Sequence, residues 1–325
     1  MILLDRYRED FNVHKTNYIS SYENPENLYV PIQYIMSLGG KQLRPLLTLM
    51  ACESYGKPYN KGLDAALAVE LFHNFSLMHD DIMDNAPLRR GQRTIHEKWD
   101  TNTAILSGDA LLIMAYRLFE NYPSEIFKQL AVLFSTTAIK VCEGQQLDMD
   151  FQQKSTVTIS AYTEMINNKT AVLLGAALEM GAIIAEASTH DREHLYEFGR
   201  NLGIAFQIQD DYLDAFGDLS TFGKQKGGDI IENKKTYLYL KAIEKAGDED
   251  RKILQSLFEV RPENPEEKIE TVKKIYMATG AVEDTQEAVQ HYMSTSLNHI
   301  DVLHITPDKK QWFLDFANFI TQRNH

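Results

Sequence analysis

Apolar residues return every three to four positions along almost the whole of this chain. That is the period of an α-helix with one face turned into a core. It predicts helices over roughly 29–38, 43–55, 62–84, 103–119, 125–150, 159–185, 190–216, 235–246, 250–260, 266–278, 280–303 and 308–322. Strict apolar–polar alternation, the mark of a half-buried strand, is scarce. Breakers stand between many of the runs: Gly39-Gly40, Gly56 with Pro58, Pro87, Pro123, Gly223 with Gly227-Gly228, Gly247, Pro262 with Pro265, and Pro307. The predicted class is all-α. No stretch rich in Pro, Gly or Ser divides the runs, so residues 1–325 are expected to form a single helical domain. The most apolar stretch, 171–185, contains Glu179 and is too short to span a bilayer, so it reads as a buried central helix. The start, Met1 to Tyr18, has early charges and no cleavable apolar segment.

Composition narrows the function. The 325 residues include 24% charged and 44% hydrophobic types, the balance of a globular protein. The formal net charge of −13 argues against nucleic acid, whose binders need basic patches. It also means that an anionic substrate would need metal ions or local cations to reverse the field. Cys52 and Cys142 lie in apolar helical contexts with no metal-ligand spacing, so both are expected to be buried free thiols, as suits a reducing cytoplasm.

The candidate chemistry begins at residues 71–84, Leu-Phe-His-Asn-Phe-Ser-Leu-Met-His-Asp-Asp-Ile-Met-Asp. On a helix Asp80 and Asp84 are i and i+4, so their carboxylates share a face and repel. Asp is also a poor residue for a helix interior. A cation held between the two relieves both costs, and hard oxygen ligands suit Mg²⁺ bound together with substrate phosphates. Asp81 points about 100° away from Asp80, so it either orients the site or ligates directly. A solvated acidic helix end is the alternative for one such motif alone. A second cluster weighs against it: residues 206–214 read Phe-Gln-Ile-Gln-Asp-Asp-Tyr-Leu-Asp, with Asp210 and Asp214 again i, i+4 and Gln207 on the same side. Leu202, Phe206 and Leu213 mark that helix as packed in a core. Two clusters facing across a cavity would hold several Mg²⁺ ions around one diphosphate.

Cations accompany both clusters. They are Lys41 and Arg44 behind Gly39-Gly40, Arg89-Arg90 before Gly91, Lys169-Thr170, Lys224 after Gly223, and Lys234-Lys235. Singly, each reads as a surface loop. Together they suit diphosphates, which Arg grips bidentately and Lys attracts as a point charge.

The ordered set Gly-Gly-Lys-x-x-Arg-Pro, His-x-x-Ser-Leu-x-His-Asp-Asp-x-x-Asp, Arg-Arg-Gly, Gly-Gln-x-x-Asp, Lys-Thr, Phe-Gln-x-x-Asp-Asp-x-x-Asp and Gly-Lys runs from about residue 38 to 237. In this the sequence resembles the trans-isoprenyl diphosphate synthase (polyprenyl synthetase) family. The resemblance implies an all-α helical bundle around a deep central cavity, usually a homodimer, with about three Mg²⁺ ions per site. It implies that Lys41, Arg44, His73 and Arg90 bind the isopentenyl diphosphate group. Arg89, Lys169 and Lys224 would hold the allylic diphosphate. Asp80, Asp84 and Asp210 would ligate Mg²⁺, supported by Asp81, Asp211 and Asp214. Thr170 and Gln207 would line the reaction centre, Gln145 and Asp148 would support it, and Lys234 would lie over it. Arg323 matches a basic tail of the family.

The implied reaction joins isopentenyl diphosphate head-to-tail to an allylic diphosphate (dimethylallyl, geranyl or farnesyl). Product length would then depend on what blocks the growing chain beneath Asp80. On a helix, Ser76 lies one turn below, Phe75 about 7.5 Å below and Phe72 about 12 Å below. In the family an aromatic residue at the place of Phe75 tends to stop elongation early. The expected product is therefore farnesyl diphosphate (C15), with geranylgeranyl diphosphate (C20) next. Ordinary core roles for Phe72 and Phe75 remain open, and the first cluster lacks the two-residue insertion of some short-chain members. Two other functions stay in view. A class I terpene cyclase shares the first cluster but normally carries a different second metal motif. A non-catalytic subunit of a heteromeric synthase would typically have lost the clusters.

Overall fold

The computed structural model describes residues 2–217, 227–262 and 264–321, and is all-α apart from one short hairpin. Its helices begin with α1 (Ile2–Ser20), α2 (Glu26–Ser37), α3 (Leu43–Ser54), α4 (Leu63–Met83), α5 (Ile95–Lys98), α6 (Thr101–Phe119) and α7 (Ser124–Gln153). They continue with α8 (Ile159–Ile166), α9 (Val172–Ile184) and α10 (Thr189–Phe216). Further helices span Gly228–Ile231, Tyr237–Lys245, Asp248–Leu257, Glu266–Ala278, Ala281–Asp301 and Pro307–Thr321. The chain divides into two compact units, Met1–Thr137 with Ala176–Tyr196, and Ala138–Gly175 with Glu197–His325.

In the first unit α4 is the axis. Every residue from Ala65 to Phe72 is buried, Glu70 included, and the helix packs on α3 and α6. Burying Leu67, Leu71 and Phe72 contributes about 1.5–3 kcal/mol each before entropy is counted. Thr48 Oγ1 of α3 donates to the Ala177 carbonyl at 2.8 Å. Gly181 lets the two backbones meet there, since a Cβ at that position would lie 2.2 Å from the Thr48 carbonyl oxygen. An aromatic stack ties α4 to α6 and α7: Phe72–Phe134 at 5.1 Å, Tyr116–Phe134 at 4.7 Å and Phe119–Phe134 at 5.3 Å.

In the second unit the predicted run 159–185 is interrupted. Residues Asn167–Ala171 form one π-helical turn between α8 and α9. Two glycines press on it. A Cβ at Gly144 of α7 would sit 2.2 Å from the Lys169 nitrogen, and one at Gly203 of α10 would sit 2.7 Å from Ala171 Cα.

One expectation is corrected. Cys52 is buried, its thiol pushed up to about 12 by burial, but Cys142 is exposed. On α7 the inward positions are Val141, Gly144 and Gln145, and Cys142 falls on the opposite face. Among the described residues no helix is long and apolar enough to cross a membrane.

Candidate active site

In the first unit the end of α4 carries the first cluster. Asp80 is half-buried, and Asp84 caps the helix, its N–H donating to the Asp80 carbonyl at 2.8 Å. Asp81 is only 2% exposed and grips Arg89 bidentately, with Nε at 2.8 Å from Oδ2 and Nη2 at 2.7 Å from Oδ1. Of the two roles open to Asp81, the geometry gives it the orienting one toward Arg89.

A hairpin makes this pairing possible. Leu88–Arg89 pairs with Gln92–Arg93 through the two-residue turn Arg90-Gly91. Both turn residues have positive φ, 54° and 74°, the geometry of a type I′ turn, and glycine suits the second place. The turn folds Arg89 back onto Asp81 and carries Arg90 to Gly40, where a Cβ would lie 2.8 Å from Arg90 Nη2.

Arg44 and His73 meet, Arg90 lies close enough to act on the charge of both, and Lys41 stands two residues before α3. Arg44 Nη1 donates to His73 Nε2 at 3.3 Å. An arginine can only donate, so His73 accepts on Nε2 and carries its proton on Nδ1. Burial, then Arg44, Arg90 and Arg89, push the imidazole well below its usual pKa and keep it neutral. Arg44 itself is lowered to about 10, chiefly by burial, with Glu70 opposing. Its Nε is buried with no hydrogen-bond partner among the described residues. A desolvated guanidinium with an orphaned N–H is a good partner for an oxyanion. Glu70, buried one turn before His73, is the carboxylate that offsets this positive cluster. Sequence reasoning missed it, because a Glu inside an apolar helical run carries no motif.

In the second unit the π turn holds Lys169 and Thr170. Extra-residue turns of this kind re-aim side chains and recur at functional sites. Lys169 Nζ pairs with Asp148 Oδ2 at 2.5 Å. Thr170 Oγ1 donates to Gln207 Oε1 at 3.2 Å, and Gln207 Nε2 donates to Asp211 Oδ1 at 3.1 Å. The Tyr162 hydroxyl donates to the other oxygen of Asp211. This line of bonds fixes the Gln207 amide and locks Asp211, so Asp211 serves as an anchor beneath half-buried Asp210. Burial and then Asp229 push the Asp211 carboxyl up to about 8. Asp214 accepts from the Asp229 backbone N–H at 2.9 Å. Lys234 Nζ lies 2.9 Å from Glu232 and 3.5 Å from Asp229. Burial alone would lower its pKa, but Asp229 and Glu232 outweigh that and raise it. Gln145 is buried one turn before Asp148, and neither end of its amide is hydrogen-bonded among the described residues. Tyr162 gave no signal in the sequence, since it meets Asp211 from 49 residues away. Lys224 and Arg323 lie outside the described residues.

Phe75, Ser76 and Phe72 divide between two faces of α4. Phe75 stacks edge-on against His79 at 4.7 Å and lies 5.6 Å from Phe72. His79 is directed at α6, where it meets the Ile105 carbonyl at 3.2 Å and leaves no room for a Cβ at Gly108. Ser76, not Phe75, is on the Asp80 face of the helix.

The residues fit a hard cation. Each unit presents carboxylates at i, i+4 on one helix, and oxygen-only donors of this kind match Mg²⁺ and not a soft metal.

Carboxylate clusters, a set of cations with an orphaned arginine N–H, and an all-α frame suit a diphosphate-handling enzyme of the isoprenoid type. The chain matches the family model for polyprenyl synthetase over residues 25–276. It is 38% identical to the geranylgeranyl diphosphate synthase of Methanosarcina mazei, over 93% of this chain and 91% of the relative. It is 35% identical to the geranylfarnesyl diphosphate synthase of Natronomonas pharaonis, over 93% and 92%. A crystal structure of a geranylgeranyl pyrophosphate synthase superposes with a TM-score of 0.95 at 49% identity, covering 99% of each chain. Another, from Corynebacterium glutamicum, complexed with isoprenyl diphosphate and magnesium, gives 0.89 at 25% identity over 98% and 99%. The chain belongs to the polyprenyl synthetase family. It is a trans-prenyltransferase, a prenyl diphosphate synthase.

Proposed function

We propose that the protein condenses isopentenyl diphosphate head-to-tail with allylic diphosphates, and that its main product is geranylgeranyl diphosphate (C20). The observation that carries the reaction type is Arg44, whose buried Nε has no partner among the described residues, beside neutral His73 and Arg90. It is a place for a second diphosphate, distinct from the carboxylate clusters. A terpene cyclase has no use for one, and a non-catalytic subunit would not keep both clusters.

Residues 1–325 act as one functional unit in this reading, supported by a family match that runs through both compact units. Mg²⁺, three ions on the family pattern, would be held by Asp80, Asp84 and Asp210, with Asp211 and Asp214 in support. Bound magnesium would stabilise the allylic diphosphate as a leaving group. Arg89, held in place by Asp81, and Lys169, held by Asp148, bind the same diphosphate and favour ionisation, because charge on the leaving oxygen grows in the transition state. Lys224 and Lys234 join them. Arg44, Arg90, Lys41 and the Nδ1–H of His73 hold isopentenyl diphosphate so that its double bond attacks the allylic carbon. Thr170 and Gln207 line the reacting centre, and the buried Gln145 amide is available to bound water. A proton is then lost to the released diphosphate.

Length is where the sequence reading changes. C15 rested on Phe75 as the floor. The orientation of Phe75 toward His79 and small Ser76 beneath Asp80 support a longer channel. The relatives named for C20 and C25 products support it too. The floor is then the Phe72–Phe134 stack. The primers in this reading run from dimethylallyl to farnesyl diphosphate. A homodimer is supported by the exposed apolar face of α6 and α7, with Leu106, Ile113 and Val132 each about 60% exposed. Two free cysteines fit a cytoplasmic setting. Chromatography of products from Phe75→Ala and Phe134→Ala tests the floor. Longer products from Phe134→Ala alone are expected. A shift with Phe75→Ala alone would return the floor to Phe75.

A further inference from the structure

The helix that the apolar pattern does not announce, α1, holds both ends of the Gly39–Gly40–Lys41 loop. Lys15 Nζ donates to the Met36 carbonyl at 3.2 Å, in the last turn of α2 and just before the loop. Asn12 Oδ1 accepts from Gln42 Nε2 at 2.9 Å, just after it. Asn12 and Lys15 are i and i+3, so both grips come from one face of α1. Between them the backbone is strained. Gly39 and Gly40 have φ of 72° and 139°, and Gln42, which is not glycine, has 51°. A side-chain-bearing residue in the left-handed region costs on the order of 1 kcal/mol and persists where its surroundings over-determine it. Here the buried Gln42 amide is what α1 holds. The Gln42 carbonyl also opens α3, accepting from Leu46 N–H at 3.2 Å, and Arg44 lies in that first turn. Lys41 precedes Gln42, and Gly40 is the surface on which Arg90 lies. Three cations of one cluster therefore depend on where this loop sits.

We propose that Asn12 and Lys15 are positioning residues that clamp this loop from α1 and so set Lys41, Arg44 and Arg90 for isopentenyl diphosphate. The proposal rests on the reading of that cluster as the isopentenyl diphosphate site. Both residues also line an open cleft of about 730 Å³ between α1 and α2, so shortening either leaves no void in a packed core and the variants should fold.

Steady-state kinetics with each substrate varied in turn, on Asn12→Ala, Lys15→Met, Lys15→Arg and Lys41→Ala, tests it. In Asn12→Ala and Lys15→Met, KM for isopentenyl diphosphate should rise about tenfold while kcat and the allylic KM stay within about twofold. Lys15→Arg, which still donates to the Met36 carbonyl, should restore the wild-type KM. Adding Gln42→Ala to Asn12→Ala should cost little more, because both remove one bond. If Lys41→Ala raises that KM and the α1 variants do not, the clamp is refuted while the site reading stands. An unchanged KM in Lys41→Ala removes the site reading and the clamp with it. An equal rise for both substrates without rescue by Lys15→Arg means general loosening and also overturns the proposal.

Discussion

Gly144→Ala puts one methyl group against the turn that carries Lys169 and Thr170. The new Cβ would lie 2.2 Å from the Lys169 nitrogen and 2.7 Å from both the Asn168 carbonyl carbon and Lys169 Cα. All three are backbone atoms, so no side-chain rotation relieves the contact. Ordinary non-bonded separation is about 3.5 Å, so helix α7 and the π turn must part by up to about 1.3 Å. Overpacking of this kind typically costs about 1–3 kcal/mol. A catalytic group displaced by about 1 Å loses on the order of a hundredfold in rate. The expected outcome is a kcat lower by about that factor, a reduced melting temperature, and a KM for isopentenyl diphosphate close to wild type. Gly247→Ala, with open space around its Cβ, is the control and should leave kcat unchanged. The assay is initial-rate product formation alongside calorimetric melting. Wild-type kcat with a lowered melting temperature would refute the claim that the π turn must sit where it does for turnover. No change in either would refute the close approach itself.

Other outcomes follow from the same geometry. A double-mutant cycle on Asp81→Asn and Arg89→Gln should give a coupling of about 1–3 kcal/mol in urea unfolding, since the pair is bidentate and Asp81 is buried. Near-additive losses would contradict that grip. Glu179, half-buried on α9, has its carboxyl raised from 4.5 to about 7, first by desolvation, with Arg192 opposing. The folded state therefore holds this proton more tightly than the unfolded one. Its cost is absent below the unfolded value, grows between pH 4.5 and about 7, and is full above. Glu179→Gln should then stabilise the protein by about 1–3 kcal/mol at pH 8 and by little at pH 4, read as melting temperature against pH. A pH-independent difference would rule out the burial cost.

Most of the architecture was legible because the helices are amphipathic and bounded by Gly or Pro. The predicted runs 43–55, 62–84, 190–216 and 266–278 match α3, α4, α10 and Glu266–Ala278 to within a residue. Helix α1 escaped because its few buried side chains, Tyr7, Phe11 and Ile19, stand among polar residues. The π turn was hidden inside 159–185, since one extra residue per turn barely disturbs an apolar pattern. The hairpin at 88–93 is too short to alternate, and Arg90-Gly91 is a weak version of the usual Asn-Gly turn signal. Motif spacing singled out the carboxylates and cations but not their partners. Asp81 with Arg89, Lys169 with Asp148, and Tyr162 with Asp211 are joined by the folded backbone, and spacing along the chain has no period for that. Phe75 shows the same limit. Counting five residues back from Asp80 gives its depth along the helix, while about 140° of rotation decides its direction.

In the proposed reaction two diphosphate sites serve one metal-assisted condensation. The most direct measurement incubates the purified chain with Mg²⁺, labelled isopentenyl diphosphate and each of the C5, C10 and C15 primers, with and without EDTA, and sizes the products. C20 prenyl diphosphate is expected from all three primers, none with EDTA, and no consumption of primer when isopentenyl diphosphate is left out. Conversion of primer alone to a hydrocarbon, or no turnover by the chain on its own, would contradict it.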